Sequence, residues 1–257
     1  MYATQRQQEI LEYLNIKKAA SVAQLCVRLY ASPATIRRDL ARMEQRGLLR
    51  RTHGGAVLAE GGSDEVSMFA RQAVNARQKA EIAKLAACFV KDSDNLFMDS
   101  SSTVCSVAAR LDHCRSLSVV TNGLNCALAL SQNPQCEVFL PAGRLATRSN
   151  SMTGPDTMES LSRYCADVAL VSCGGISPDG DVTEPSADQA RVKMQMLRQS
   201  RTKILLCDFS KLGRIFFSRT CGIEQFDFCI TDRNPGPEWT PVFERAGCEL
   251  VYPEASI

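Results

Sequence analysis

The sequence predicts a small α+β domain followed by a larger α/β domain with a mostly parallel sheet. Residues 1–58 read as three short helices and then two short strands. From residue 67 to 257, short apolar runs alternate with helical patterns, as in a parallel sheet that helices cover on both faces. Residues 59–66 are polar and glycine-rich, which indicates a linker between the two domains.

The N-terminal domain begins with two predicted helices. The first spans 4–17, and residues 17–20 are expected to be its exit turn. The second spans 21–29 with Ser21 as its N-cap, and only two residues separate it from the third. Two helices that cross at so tight a turn form a helix-turn-helix.

The third helix, within residues 32–47, has a signal at each end. Ser32 is a good N-cap, Pro33 suits the first helical position, and Gly47 can take the left-handed conformation that ends a helix. Its apolar residues share one face, which must be buried, and its arginines point away from that face.

The polar face of this helix suits the major groove of DNA. Thr35 is small enough for a close backbone approach, while Arg38 and Arg42 can grip guanine edges or hold phosphates, with Arg37 on the flank. The alternative is a solvated basic face on an ordinary helix. Residues 48–58 then predict two strands with a basic, glycine-rich tip, as in the wing of a winged helix-turn-helix.

The motifs of this region resemble a known family. Residues 35–40 read TIRRDL and residues 51–56 read RTHGGA, which resembles the DNA-binding signature of the DeoR/GlpR family of bacterial transcriptional regulators. The partner is then expected to be a double-stranded DNA operator. The candidate DNA-binding residues are Ser32, Thr35, Arg37, Arg38, Arg42, Arg51 and His53.

Charge is distributed unevenly along the chain. Residues 1–60 hold 10 Lys/Arg against 5 Asp/Glu, and residues 61–257 hold 20 against 23, so balances of +5 and −3 sum to the net +2. The basic part is the part expected to neutralise DNA phosphates. No stretch approaches the roughly 18 apolar residues of a membrane helix, and no signal region is visible, so we expect a cytoplasmic protein that does not bind membranes.

Most of the 12 cysteines are expected to be reduced core residues. No Cys-x-x-Cys pair occurs and the chain has two histidines, which argues against a disulfide scaffold and a structural zinc site. A thiol or metal sensor remains an alternative. The cysteines that fall in apolar segments are Cys88, Cys126, Cys173, Cys207 and Cys229.

The larger domain is expected to begin with one long helix from about residue 67, on which Arg71, Asn75 and Lys79 share a face. Seven strands follow, predicted at 95–98, 117–120, 137–140, 168–172, 203–207, 228–230 and 249–252. Helical patterns lie between most of them, at about 103–111, 124–131, 155–164, 187–200 and 237–246.

Polar residues follow nearly every strand, where ligands bind in parallel sheets. Hydroxyls and amides suit a phosphate, Lys or Arg adds positive charge, and Asp99 or Asp208 could accept hydrogen bonds from sugar hydroxyls. The alternatives are plain helix capping and the ordinary polarity of strand-end loops. The candidate effector-binding residues are Asp99, Ser100, Ser101, Ser102, Thr103, Thr121, Asn122, Gly143, Arg148, Gly174, Gly175, Lys193, Asp208 and Lys211.

The resemblance to the DeoR/GlpR family extends over roughly residues 4–252. Residues 99–103 resemble its effector loop, and residues 208–211 resemble its Asp-x-Ser-Lys motif. It implies a ribose-5-phosphate isomerase-like domain, a phosphorylated sugar or polyol as effector, and a homodimer or homotetramer. Two departures are Ala142 before Gly143, and Gln189 where the family often has Glu.

The sequence therefore predicts a repressor of a carbohydrate uptake or catabolism operon that a sugar phosphate releases from DNA. No cofactor, metal or catalytic residue is expected. The alternative is a sugar-phosphate isomerase-like enzyme with a DNA-binding extension. Isomerisation needs a carboxylate base at the substrate carbon, but no pair of carboxylates stands out as an acid–base set.

Overall fold

The computed structural model describes residues 3–45, 47–58 and 67–253. These residues form two compact units, one reaching to Ala76 and the other beginning at Arg77. Each unit is described by itself.

The N-terminal unit is a set of helices with a three-stranded antiparallel sheet in the order β1-β3-β2. Its elements are α1 (Ala3–Lys17), β1 (Ala19–Ser21), α2 (Val22–Leu29), α3 (Pro33–Gln45), β2 (Leu49–Thr52), β3 (Gly55–Leu58) and α4 (Met68–Ala73). The helix-turn-helix and the two wing strands therefore lie where the sequence predicts them.

Strand β1 corrects the prediction of an exit turn at 17–20. Ala19 pairs with Val57, so this short segment forms an edge of the wing sheet. A three-residue strand is too short to show the alternation from which strands are predicted. Its close approach also explains a glycine, because a Cβ at Gly55 would lie 2.0 Å from the carbonyl oxygen of Ala20.

The apolar face of α3 is buried as predicted. Its three large apolar side chains, Ile36, Leu40 and Met43, lie in one core with residues from α1, α2 and the wing. Gly47 has a φ of 65°, the left-handed value expected of a residue that ends a helix.

The compact N-terminal unit continues beyond residue 58, where the sequence places the domain boundary, because Ala70 of α4 is buried in the same core. The predicted linker at 59–66 lies outside the described residues, and the domain limits themselves stay a prediction.

The long helix expected from residue 67 is wrong. The structure has α4 and a separate α5 (Ala76–Ala87), because Val74 is extended and Asn75 has a φ of 54°. Because the helix is broken, Arg71, Asn75 and Lys79 do not share one helix face as expected.

The second unit is built on a seven-stranded, wholly parallel sheet in the order β15-β14-β12-β9-β4-β5-β6. Its strands are β4 (Asn95–Met98), β5 (Leu117–Thr121), β6 (Cys136–Phe139), β9 (Ala166–Ser172), β12 (Ser200–Leu206), β14 (Phe228–Ile230) and β15 (Glu249–Val251). After α5, its helices are α6 (Ser102–Ala108), α7 (Leu124–Leu130), α8 (Pro155–Leu161), α9 (Ala187–Arg198) and α10 (Thr240–Ala246). The seven predicted strands are all present, with ends that differ by a few residues.

Two small sheets lie in stretches for which the sequence predicts neither a helix nor a strand. One is the hairpin of β7 (Arg144–Ala146) and β8 (Ser151–Thr153). The other is antiparallel, with β10 (Gly175–Ile176), β11 (Asp181–Glu184) and β13 (Ser218–Gly222) in that order. These strands of two to five residues are too short and too polar to show a strand pattern.

The described cysteines are all free thiols. Cys126, Cys173, Cys207 and Cys229 are buried as expected, whereas Cys88 is exposed, which corrects the prediction for that residue. None of the helices in the described ranges is long and apolar enough to span a membrane.

Candidate functional site

Helix α3 begins with two hydroxyl groups that contact each other. The Ser32 hydroxyl accepts a hydrogen bond from the Thr35 amide at 3.3 Å, and the two side-chain oxygens are 3.0 Å apart. Ser32 is thus the predicted N-cap. The pair leaves a small, polar surface at the start of the helix.

Arg37, Arg38 and Arg42 are exposed along α3. Within the described part of the chain, none of the three makes an ion pair. Their guanidinium groups can therefore contact an external anion without breaking an internal bond.

The wing adds two of the predicted residues. The backbone amide of Arg51 donates to Glu44 at 2.7 Å, and its exposed guanidinium lies 3.9 Å from the same carboxylate. His53 is exposed in the turn between β2 and β3. All seven predicted DNA-binding residues thus lie on α3, at its N-cap or on the wing.

The opposite side of α3 is fixed to α1 by a charged pair. Arg6 Nε donates to Asp39 Oδ2 at 2.6 Å, and the Gln7 amide donates to Asp39 Oδ1 at 3.5 Å. Asp39 is 1% exposed, so the pair is shielded from water. It fixes the helix that carries the exposed arginines.

In the second unit, Asp99 follows β4 and is fully buried. One carboxylate oxygen accepts from the Ser101 amide at 2.8 Å, and the other accepts from the Ser172 amide at 2.9 Å. Asp99 thus links the ends of the neighbouring strands β4 and β9. The Ser101 hydroxyl in turn caps α6 by accepting from the Val104 amide at 3.3 Å.

The ammonium group of Lys193 in α9 is bound by three groups inside the protein. Its ammonium group lies 3.2 Å from Asp99, donates to the Ser172 carbonyl at 2.7 Å and pairs with Glu184. Burial alone would lower the pKa of Lys193, but the Asp99 and Glu184 carboxylates outweigh it and raise the pKa. The lysine therefore stays charged.

Lys211 makes fewer close internal contacts than Lys193. Its ammonium group donates to the Ser172 hydroxyl at 2.8 Å and lies 4.0 Å from Asp208, and its side chain is 18% exposed. Burial would lower the pKa of Lys211, but the Asp208 carboxylate and nearby thiols raise it. An ammonium group has three hydrogens, so Lys211 can also contact a ligand.

Two thiols lie beside these lysines. Cys173 and Cys207 follow the adjacent strands β9 and β12, with 3.8 Å between their sulfur atoms. The hydrogen bond with Cys207 lowers the pKa of the Cys173 thiol, and the charge of Lys211 adds to this effect against the opposing effect of burial.

Gln189 connects two of the polar loops. Its side-chain oxygen accepts from the Ser100 hydroxyl at 3.2 Å, and its side-chain nitrogen donates to Ser149 at 3.1 Å and to Ser151 at 2.6 Å. The Ser151 hydroxyl donates to Ser149 at 2.8 Å. Ser100, Gln189, Ser149 and Ser151 form what we name the serine–glutamine cluster.

Thr103 Oγ1 and Asn122 Oδ1 are among the buried polar atoms that have no partner within the described residues. Asn122 follows β5, next to β4, and Thr103 lies in the first turn of α6. Thr121 and Ser102 are also buried in these two segments. Because an unsatisfied buried polar atom is costly, these atoms are candidates for contact with a ligand.

The three predicted glycines are explained by packing. A Cβ at Gly143 would lie 2.0 Å from the Thr157 hydroxyl, and one at Gly175 would lie 2.3 Å from the Arg214 carbonyl oxygen. A Cβ at Gly174 would lie 2.9 Å from Phe216. Arg148 is exposed in the turn of the β7–β8 hairpin.

The network contains residues beyond the predicted effector set. Ser172 and Glu184 contact Lys193 directly, whereas Ser149 and Ser151 are joined to Ser100 through Gln189. Their position at strand ends is the only sequence signal for them. The contribution of Ser149 and Ser151 depends on the β7–β8 hairpin, which the sequence does not reveal.

The arrangement can hold a polar, anionic ligand. At the carboxyl ends of parallel strands it offers a lysine with spare donors, several hydroxyls and an amide oxygen that has no partner among the residues described. No group of three potential ligands for a metal ion occurs among His, Cys, Asp and Glu in the described ranges.

Two family models match the chain. The model described as the DeoR-like helix-turn-helix domain matches residues 6–61, and that described as the DeoR C terminal sensor domain matches residues 74–233. Together they match most of the N-terminal unit and the second unit as far as residue 233.

Several relatives match over nearly the whole chain. The HTH-type transcriptional repressor GlcR of Bacillus subtilis is 33% identical over 99% of this chain and 98% of its own length. The glycerol-3-phosphate regulon repressor of Escherichia coli is 31% identical over 91% of this chain and 93% of its own length. The HTH-type transcriptional regulator GlpR of Haloferax volcanii is 30% identical, with 98% of each chain covered. These relatives are named as regulators and not as enzymes.

Among solved structures, a D-ribose-5-phosphate isomerase in complex with phospho-erythronic acid is 16% identical and covers 53% of this chain and 54% of its own, with a TM-score of 0.41.

Proposed function

This chain belongs to the DeoR family of transcriptional regulators, and from that premise we propose that it represses an operon for carbohydrate uptake or catabolism. In this proposal a phosphorylated sugar or polyol binds the second unit and releases the protein from its DNA operator. The protein acts in the cytoplasm, where such an operator lies.

The exposed surface of α3 and the wing supports the DNA-binding half. Arg37, Arg38 and Arg42 face outward without ion pairs to described residues, on a helix that a buried core and the Arg6–Asp39 pair hold in place. A helix inserted in the major groove uses such arginines for guanine edges and phosphates. Ser32, Thr35, Arg51 and His53 lie at its edges.

The observation that supports the effector half best is the group of buried polar atoms at the strand ends. Lys211 has spare donors, and Thr103 and Asn122 have buried atoms without a described partner. In this proposal Lys211 binds the phosphate. Asn122 and the loop of Ser100, Ser101 and Ser102 bind hydroxyls.

Other predicted residues hold the loops of the site in place and do not contact the effector themselves. Asp99 and Lys193 hold the ends of β4 and β9, so they position the loops that contact the effector. Gly143, Gly174 and Gly175 are needed for packing. The chain acts as a homodimer or homotetramer, because one winged helix reads only a short half-site.

Transcript levels test the proposal in the cell. In a strain that lacks the gene, transcripts of one sugar-catabolic operon should rise, and addition of the gene should lower them again. The gene with the Arg38→Ala change should not restore repression. Unchanged or lower transcripts in the deletion strain would contradict a repressor.

A further inference from the structure

The serine–glutamine cluster has an unusual direction of hydrogen bonding. Both side-chain hydrogens of Gln189 are donated, one to Ser149 and one to Ser151. The oxygen atoms of those two hydroxyls are therefore already acceptors. Each hydroxyl also has one hydrogen of its own, which needs an acceptor.

The hydrogens of the two serines have few internal acceptors. Ser151 donates to Ser149 at 2.8 Å, while the only acceptor for Ser149 in the described part of the chain is the Ala146 carbonyl at 3.4 Å, which is a long bond. The Ser149 hydroxyl can therefore turn its hydrogen toward a ligand without losing a strong bond. Such a ligand must present an acceptor.

The surroundings of the cluster favour an anionic acceptor. Gln189 is in the first turn of the 12-residue helix α9, where the helix dipole favours negative charge. The Thr103 hydroxyl, which is buried without a partner among the described residues, lies in the first turn of α6, directly after the loop that carries Ser100. The cluster itself contains no carboxylate.

A carboxylate at position 189 would reverse this direction. It has no hydrogen to give, so Ser149 and Ser151 would donate to it and present only lone pairs to a ligand. It would also repel a second negative charge in a site shielded from water. An amide and a carboxylate of nearly equal shape thus select opposite ligand groups.

We propose that Gln189 is a specificity-determining residue that, together with the Ser151 hydrogen directed at Ser149, leaves the Ser149 hydroxyl as a donor, so that this part of the site binds an oxyanion of the effector, a phosphate or a carboxylate, and not a neutral hydroxyl. This proposal rests on the proposed function, because it concerns the same effector. Gln189 acts through the two serines and is a positioning residue.

Calorimetric titration of the full-length protein tests the proposal. The ligands are matched pairs that differ by one carboxylate, namely glucose 6-phosphate with 6-phosphogluconate and glycerol 3-phosphate with 3-phosphoglycerate, together with inorganic phosphate. The variants are Gln189→Glu and Gln189→Ala. The Ala187→Glu variant is the control, because it adds the same charge to the same turn at an exposed position.

For the best ligand, Gln189→Glu should weaken binding at least tenfold, and Ala187→Glu should change it less than twofold. If the carboxylate is the bound oxyanion, only the acid of each pair binds tightly. If the phosphate is the bound oxyanion, both members of each pair bind with similar affinity, and Gln189→Glu weakens the binding of both.

The pH dependence separates electrostatics from a structural effect. The tenfold loss in Gln189→Glu should shrink between pH 8 and pH 5.5, relative to the wild type at each pH, because protonation removes the new charge and returns a donor. The loss in Gln189→Ala should not depend on pH. Thermal melting of each variant checks that it is folded.

Two results would overturn the inference, and they are distinguishable. If the wild type binds a ligand and Gln189→Glu binds it within twofold at every pH, Gln189 does not select an oxyanion. If the wild type binds no sugar or polyol phosphate of a wider panel, the proposed function fails and this inference fails with it.

Discussion

Arg6 and Asp39 join the first helix to the helix that carries the exposed arginines, through a 2.6 Å bond in which the carboxylate is 1% exposed. Asp39 directly follows Arg38 in the sequence, so one residue fixes the helix while its neighbour faces outward. Structural support by Asp39 and the DNA contact proposed for Arg38 thus come from consecutive residues within a single turn of α3.

Asp39→Asn should destabilise the N-terminal unit. Loss of one partner of a buried ion pair costs about 3–5 kcal/mol, and the 11% exposure of Arg6 favours the lower end. Denaturant unfolding of the full chain measures this loss. The control is Glu159→Gln, which breaks an exposed pair with Arg163 and should cost about 0–1 kcal/mol. Equal effects in both variants would mean that the Arg6–Asp39 pair adds no special stability.

Arg38→Ala should abolish specific operator binding while leaving effector binding intact. Loss of one bidentate base contact costs about 1–3 kcal/mol per site, and a dimer loses it twice. The control is Arg201→Ala, which removes the same charge from the exposed surface of the second unit. Gel-shift titration measures both. Normal operator affinity in Arg38→Ala would refute the assignment of α3 as the recognition helix.

Lys211→Ala should bind DNA normally but lose its response to the inducer, because Lys211 has spare donors and limited exposure at the strand ends. Asp99→Ala should have the same effect, since Asp99 holds the loops after β4 and β9. Release of labelled DNA by the inducer measures the response. An unchanged response in both variants would place the effector site elsewhere.

Gly175→Ala should lower the melting temperature of the second unit. The new Cβ would lie 2.3 Å from a backbone oxygen of Arg214, which cannot move aside as a flexible side-chain end can. Overpacking of this kind costs about 1–3 kcal/mol. Gly54→Ala is the comparison, because nothing lies within 4 Å of its Cβ. A melting curve identical to that of the wild type would show that the β10 segment can shift freely.

The reactivity of the cysteines tests the packing of the core. At pH 8, Cys88 and Cys165 should be alkylated in the native protein because both are exposed. Cys221 should be protected, since burial raises its pKa to about 12 and leaves almost no thiolate. Mass spectrometry after brief exposure to iodoacetamide identifies the modified positions. Rapid alkylation of Cys221 would contradict its buried position.

The parts of the fold that carry a periodic pattern are predictable from the sequence. Helix α3 has its cap, its apolar stripe and its terminal glycine in the sequence, and the seven parallel strands appear as apolar runs. The sequence does not predict the break between α4 and α5, because this break depends on a single positive φ at Asn75. It does not predict β1 either, because that strand has only three residues.

The candidate effector site is predictable only in part. Asp99 and Lys211 follow directly from the rule that ligands bind at strand ends. The pairing of Lys193 with Glu184 and Asp99 does not follow from it, because Glu184 lies on β11, a strand of the small antiparallel sheet that the sequence does not predict. Ser149 and Ser151 reach Gln189 only through a hairpin that carries no strand signal.

The most direct test of the central claim is fluorescence anisotropy of labelled DNA from upstream of the protein's own gene, with and without a panel of sugar phosphates and at two salt concentrations. Tight binding that weakens with salt, and that one compound abolishes, is the predicted result. Tight binding that no sugar or polyol phosphate alters would contradict the proposed effector, and the absence of specific binding would contradict the DNA-binding role assigned to α3 at this operator.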